Sequence, residues 1–421
     1  MSELSKNLNS FSRTNTQVTD FNIYSNVVNN MDNAQDLPQY RAGDDFRPYG
    51  RELTADRDLA SDYLSTLVKK YGVIFQKAAM AQNPLSMFKK GMMMPGGNIQ
   101  SLIYDVIAPK KFNPFYRGPQ DSPYKQNLIE PDTKTYDQTE DITGEVSIID
   151  TYDTMFFQNL TQFHDYVWNK VISLVNGAVL DEFNHTKLTL SVPISNTLLN
   201  NTEIGMPLQK IKTNSGTVDI KELAKAIKRT AKSFRYFSDK NNGSGITQAT
   251  LVKDIVVIVN KDVSVDMDME YFGQLFNPEN ARDFNIKYVE IDEFPSIWRY
   301  SKDHTVTAND FAKHYLDVDN YSVGDVVKQG SLARAGATDA TEVMDGTKID
   351  AVILDQDALQ VWDQLPISLT AINDPKHRTT NIYLNKKSIM AYISGLNAVA
   401  LVDDDLQATK VLSAEAGGKG K

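Results

Sequence analysis

Five histidines (His164, His185, His304, His314 and His377) are scattered along 421 residues that contain no cysteine. Disulfides, thiolate nucleophiles and Cys-ligated zinc or iron-sulfur centres are therefore out of reach. No histidine falls in an HExxH pair, and the Walker A, GxSxG and GxGxxG signatures are also missing. The histidines accordingly read as surface or interface residues and not as catalytic bases.

The densest acidic group is Asp262, Asp266, Asp268 and Glu270, in NKDVSVDMDMEYF. On an extended segment such spacing would line one face and suit Mg²⁺ or Ca²⁺. The plainer reading, which we favour, is that Asp266 or Asp268 caps a following helix and offsets its dipole. DVDNYSVGD (317–325) resembles a calcium loop but lacks the sixth-position Gly and twelfth-position Glu, so it reads as a turn. No residue set specifies a catalytic, cofactor or metal site, and no cofactor is expected.

The basic pairs Lys89, Lys90 and Lys110, Lys111 sit among Phe88, Phe112, Phe115 and Tyr116. A basic-aromatic patch can bind nucleic acid. With so few charges, pairing with an acidic neighbouring subunit is the stronger reading. Overall 44 Lys and Arg against 54 Asp and Glu give a net charge of -10, which argues against a protein whose main task is coating phosphates. Met92, Met93 and Met94 suit adaptable contacts between subunits, with core filling equally open.

The elements that must position these residues follow from periodicity. Length alone predicts two or three packed regions, and 41% hydrophobic residues suffice for real cores. Residues 1–50, rich in Asn, Ser, Asp and Gln, read as an arm, either disordered or ordered against a neighbour, with composition favouring disorder. From Asp58, apolar residues at Leu59, Tyr63, Leu64, Leu67, Val68 and Tyr71 predict a helix; a strand-like run, Val73 to Phe75, follows, and Pro84 ends regular structure. Residues 86–156 carry Pro95, Pro109, Pro114, Pro119, Pro123 and Pro131 and lack a core of their own, yet hold strand-like stretches at 99–107 and 144–149. Two strands flanking such a loop suggest an extended hairpin arm. Next, Leu160, Phe163, Val167, Val171, Leu174 and Ala178 mark a long helix reaching toward His185.

Asp219 then caps a helix on Ile220, Leu223, Ile227 and Phe234, and NNGSG (241–245) makes a turn. Strands are predicted at 255–259, 286–291, 351–354, 367–372, 380–384 and 398–402, with helices at 271–276 and 357–364 and a polar insertion at 301–348. The fold class is α+β with a sheet-based domain in the second half. The N-terminus lacks a signal-peptide core, and no run approaches the roughly 20 apolar residues of a membrane span. A cytoplasmic chain with no membrane partner is the expectation.

The phrases NPLSMFKKG (83–91), NIQSLIYDVI (98–107), VSVDMDMEYFGQLFN (263–277), VILDQDALQVWDQL (352–365) and GLNAVALV (395–402) resemble major capsid proteins of phi-29-like podoviruses, in particular the small staphylococcal members. The order of parts is similar to the Hong Kong 97 capsid fold. This resemblance implies an N-terminal arm (1–50), a P-domain (51–85 and 157–218, with the return at 385–421), an extended E-loop (86–156) and an axial A-domain (219–384). The immunoglobulin-like C-terminal domain of the phi-29 relative has no counterpart before the chain's last residue.

The implied function is a major capsid protein, not an enzyme, that self-assembles as hexamers and pentamers into the icosahedral virion shell around double-stranded DNA. Its implied partners are scaffolding and portal proteins, a head fibre or decoration protein and, weakly, packaged DNA, with assembly in the host bacterial cytoplasm. Expected inter-subunit contacts are Phe88, Lys89, Lys90, Ile99, Leu102, Tyr104, Lys110, Lys111, Phe115 and Tyr116, with Gly91, Gly96 and Gly97 as hinges. An encapsulin-like compartment, or a Mg²⁺-dependent hydrolase built on Asp262, Asp266, Asp268 and Glu270, are the competing readings.

Overall fold

The computed structural model describes residues 1–11, 17–31, 40–50, 57–77, 83–107, 131–137, 139–149, 160–200, 204–214, 217–267, 286–313, 321–374 and 379–406. The arm is not a loose tail: it folds into two helices, α1 (Glu3–Phe11) and α2 (Asp20–Val28), with Leu4, Ile23, Tyr24 and Val27 buried. Scattered apolar residues that show no period over 50 positions thus do form short stripes once each helix is taken alone. They pack beside α3 (Arg57–Lys77), whose Leu59, Tyr63, Leu64, Leu67, Val68 and Tyr71 are buried as the spacing requires. Val73 to Phe75, expected as a strand, continue α3, and Phe75 extends its buried face by one more four-residue step. Pro84 opens a 3₁₀ turn, Pro84–Phe88, and so starts structure where the sequence predicts an end; its missing N–H costs nothing at a first helical position.

Next come β1 (Lys89–Met92), β2 (Ile99–Ile103), β3 (Asp132–Tyr136) and β4 (Thr139–Ile149). The hairpin partner of β2 is β3, from Ile99 opposite Tyr136 to Ile103 opposite Asp132, and not the stretch at 144–149. That stretch lies in β4, which pairs elsewhere. The spine helix α4 (Leu160–Leu198) runs 39 residues, well past His185 and through Pro193, which spans roughly 58 Å.

Short strands β5 (Leu208–Ile211), β6 (Thr213–Asn214) and β7 (Thr217–Val218) lead to α5 (Ile220–Ser233), capped by the Asp219 carboxylate accepting from the Lys221 and Glu222 amides. Then follow β8 (Ile255–Asn260), α6 (Lys261–Asp266) and β9 (Lys287–Ile291). β10 (Ile297–Tyr300) comes just before the polar insertion, which folds into β11 (His304–Thr305), α7 (Ala308–Ala312), β12 (Val326–Val327), β13 (Leu332–Ala333) and β14 (Ala340–Met344). The chain closes with β15 (Ile349–Asp355), β16 (Leu359–Asp374), β17 (Thr379–Tyr392) and β18 (Ala398–Asp403). The helix expected at 357–364 is instead the start of β16, because Leu359 and Val361 pair with Tyr392 and Met390 across a long hairpin; tertiary pairing overrides a short ambiguous pattern. The register shifts around Leu365 accommodate Pro366, which has no N–H to give a ladder. The helix expected at 271–276 lies outside the described residues.

Two sheets carry the fold. One has the order β1-β16-β17-β4 and the other β5-β18-β15-β8-β9. The first half of α4 buries Phe163, Val167, Val171 and Val175 against α3, the arm helices and Ile148, Ile382 and Leu384 of the first sheet. Its second half sends Leu190 and Ile194 into a different core with Val256, Ile258, Val352 and Leu354 on one face of the second sheet. The other face of that sheet (Val257, Val259, Ala351, Ile353) is covered by Leu223, Ile227 and Phe234 of α5. Both faces being covered explains why β8 is an unbroken apolar run. The sheets interleave in sequence: β16 and β17 join β1 and β4, whereas β5 and β18 join β8 and β15.

Candidate assembly surface and its anchoring charges

The root of the loop is fixed inside its own chain. Asn83 caps the 3₁₀ turn, and Leu85 and Phe88 enter the core shared with Leu190 and Ile194. Phe88, expected at an inter-subunit contact, is fully buried and has no surface to offer a neighbour. Lys89 pairs with Asp363 at 2.9 Å and Glu182 at 3.2 Å, while Lys90 pairs with Asp357 at 2.5 Å. Both lysines therefore find acidic partners within the chain, which removes the need for a neighbour's carboxylate or for phosphate.

The centre of this network was not foreseen. Glu182 on α4 touches Lys386 of β17, receives Lys89, and accepts from the Asn83 amide at 3.1 Å; the Glu182 and Lys386 side chains are 9% and 2% exposed. Burial pushes the Glu182 carboxyl up, but Lys386 and then Lys89 outweigh it and hold it below its ordinary value. Four elements (β1, α4, β16 and β17) are tied at one point. The sequence did carry a signal, since Glu182 falls one four-residue step after Ala178 on the apolar stripe, and Lys386 continues the period-two series Ile382, Leu384.

Beyond the root, β1 adds parallel to β16, and Gly91 and Gly96 take φ of +135° and +80°, a region that disfavours L side chains. Gly97 has an ordinary φ; a Cβ there would crowd Met93 at 3.0 Å, so its role is close packing. In the hairpin, Ile99 is buried against Ile389 and Ala391, again within the chain. Ile103 rests on Gly395, Lys134 donates to Ser244 and Ser394 at 2.8 Å each, and Asp105 accepts the Thr247 amide at 3.0 Å. Other apolar side chains of this segment are exposed: Leu102, Tyr104, Val106 and Ile107 are 57, 53, 53 and 67% exposed, and Met92 and Met94, beside the glycines, 68 and 84%. Lys110, Lys111, Phe112, Phe115 and Tyr116 lie outside the described residues.

Two of the histidines, His164 and His304, are buried and not surface groups. His164 is buried, with Nε2 2.9 Å from the Tyr63 hydroxyl and Nδ1 3.8 Å from Asp20. Asp20 also accepts from Thr161 at 3.0 Å and from Ser2. Burial raises its carboxyl, but His164, Ser2 and Thr161 together hold it well below the usual range. His304 is buried between Asp310 at 3.1 Å and Asp339 at 3.2 Å, pinning the insertion. Sequence gave no sign of these pairs, whose members lie on separate elements. His314 and His377, and with them Asp268 and Glu270, lie outside the described residues. Asp262 and Asp266 sit within α6, which Asn260 caps, and so do not line an extended strand; the helix expected after them lies outside the described residues.

No helix among the described residues is long and apolar enough to cross a membrane. The family model described as Phi29-like phage major capsid protein matches residues 25–402. The major capsid protein of Bacillus phage GA-1 is 24% identical over 278 residues, 66% of this chain and 57% of that protein. That of Bacillus phage PZA is 20% identical over 396 residues, 91% of this chain and 73% of that protein. The match thus spans little more than half of the first relative's length. Among solved structures, a chain in the capsid structure of Staphylococcus phage Andhra superposes with a TM-score of 0.58 at 13% identity, covering 76% of this chain and 84% of that one. A chain in the structure of head fiber and inner core protein gp22 of native bacteriophage P68 gives 0.57 at 15% identity, with the same coverage of 76% and 84%. The fold is the Hong Kong 97-like capsid fold.

Proposed function

The chain belongs to the Phi29-like phage major capsid protein family, and from that premise we propose that it is the repeating subunit of an icosahedral shell around the double-stranded DNA of a tailed bacteriophage. The observation that carries the contact chemistry is the uncovered apolar strip Leu102, Tyr104, Val106 and Ile107 on a hairpin whose root and inner side are anchored in the chain. Several exposed apolar side chains close together in sequence are costly in water and suit an interface. In this reading the strip lies on the adjacent subunit of a hexamer or pentamer. Each contact need bury only about 1,200–2,000 Å², because a closed shell repeats it many times.

The regions then divide as an arm (1–50), a P-domain, an E-loop (86–156) and an A-domain (219–384), with Gly91 and Gly96 letting the E-loop take different angles. Scaffolding and portal proteins, a head fibre and weak contact with packaged DNA complete the partners, and assembly takes place in the host cytoplasm. The double substitution Leu102→Asp, Tyr104→Asp tests the contact. Subunits that melt like wild type but sediment unassembled are expected; normal shells from the double variant would overturn this role for the strip.

A further inference from the structure

Helix α5 is apolar on one side and basic on the other. Leu223, Ile227, Ala231 and Phe234 lie against the second sheet. Lys221, Lys225, Lys228 and Lys232, continued by Arg235 in the turn that follows, step by 4, 3, 4 and 3 residues and so form one stripe away from that core. The stripe runs roughly 20 Å along the axis. All but the half-buried Lys228 are exposed, and exposed Arg229 flanks them.

Two features separate this stripe from an ordinary solvated helix face. Such faces mix both signs, whereas between Ile220 and Lys240 these six cations and Lys240 meet only Glu222 and Asp239, in a chain whose net charge is -10. Like charges four residues apart, such as Lys221 with Lys225 and Lys228 with Lys232, weaken the helix that carries them. Among the described residues, moreover, no carboxylate pairs with Lys221, Lys225, Arg229, Lys232 or Arg235.

We propose that the α5 stripe binds the phosphate backbone of duplex DNA without reading its sequence. The exposed side chains of the helix include no large apolar group, and the centre of a protein interface is apolar and poor in lysine, so a protein partner fits less well. A straight row of ammonium and guanidinium groups suits phosphates. Tyr236 and Phe237, 72 and 71% exposed, could stack on unpaired bases but lie past the end of the helix, off the row. The acidic remainder of the chain opposes DNA at long range, which keeps the contact local and salt-sensitive. That the duplex is a packaged genome rests on the shell reading; the binding itself does not.

Fluorescence anisotropy of the full-length chain with a labelled duplex of about 30 base pairs tests this. Engaging about five phosphates, the wild type is expected to bind at ~50 mM salt and to weaken several-hundred-fold by ~200 mM. Lys225→Gln, Lys232→Gln, at exposed positions, should lower the log–log salt slope by about two and leave the melting temperature unchanged. No binding by the wild type at the lower salt, or an equal slope in the variant, would overturn the proposal. Tighter binding of a single strand, lost in Tyr236→Ser, Phe237→Ser, would also overturn it and move the site to the aromatic pair. Electron microscopy of the same preparation separates the two readings: chains that assemble yet ignore DNA refute the stripe alone, and chains that bind duplex but never assemble refute the shell alone.

Discussion

Glu182 and Lys386 decide most at the residue scale. Glu182→Leu leaves the Lys386 ammonium buried without its main partner and is expected to cost about 3–5 kcal/mol in denaturant unfolding of the unassembled subunit. The double variant Glu182→Leu, Lys386→Met should lose clearly less, because an apolar pair leaves no buried charge; equal losses would show that packing, not charge, matters there. A second buried carboxylate acts in the opposite sense. Burial, reinforced by Asp403, pushes Asp350 up to about 8, so the folded chain holds a proton that the unfolded chain releases near 3.8. Stability contributed by the protonated form is full below 3.8 and is lost as pH rises toward 8. Asp350→Asn should therefore raise the melting temperature at pH 8 and leave it unchanged at pH 3, and an equal shift at both would contradict the assignment. Much of this was hidden in sequence, since Lys89 finds Glu182 and Asp363 only after folding. Leu102 and Tyr104, each more than half exposed, were legible only as apolar residues of a loop without a core of its own.

The arm helices gave the least signal at the scale of elements. Each is too short to be stable alone, so composition predicts disorder, and the stabilisation comes from the tertiary contacts of Leu4, Ile23 and Val27 and the Asp20, His164 and Tyr63 cluster. Asp20→Ala should raise amide exchange across α1 and α2 while leaving α4 protected; unchanged exchange would mean that apolar packing alone holds the arm. The spine helix was readable to His185 because its first half shows one clean stripe. Its continuation to Leu198 was not, because Leu190 and Ile194 face a different core and the stripe changes direction between the two. The strand in place of a helix at 357–364 has the same origin, a short pattern settled by a partner, β17, that sequence does not reveal.

For the whole molecule, α4 is the member common to two cores and two sheets, with the charge network where they meet. The α+β class, the long helix, the second-half sheet and the strand opening the loop could be read from periodicity and proline placement, but the hairpin partner of that strand, β3, could not. The interleaving of the sheets could not, because β16 and β17 leave the domain that their position suggests and pair with the strands flanking the loop. That arrangement fastens the loop's root to the body while its apolar strip stays open, as a subunit gripping its neighbour requires. Electron microscopy of the overexpressed chain, alone and with the scaffolding protein proposed as its partner, tests this most directly. Closed shells or capsomers, with Leu102 and Tyr104 buried on the adjacent subunit in the resulting map, are the predicted result; a monodisperse monomer under both conditions would contradict it.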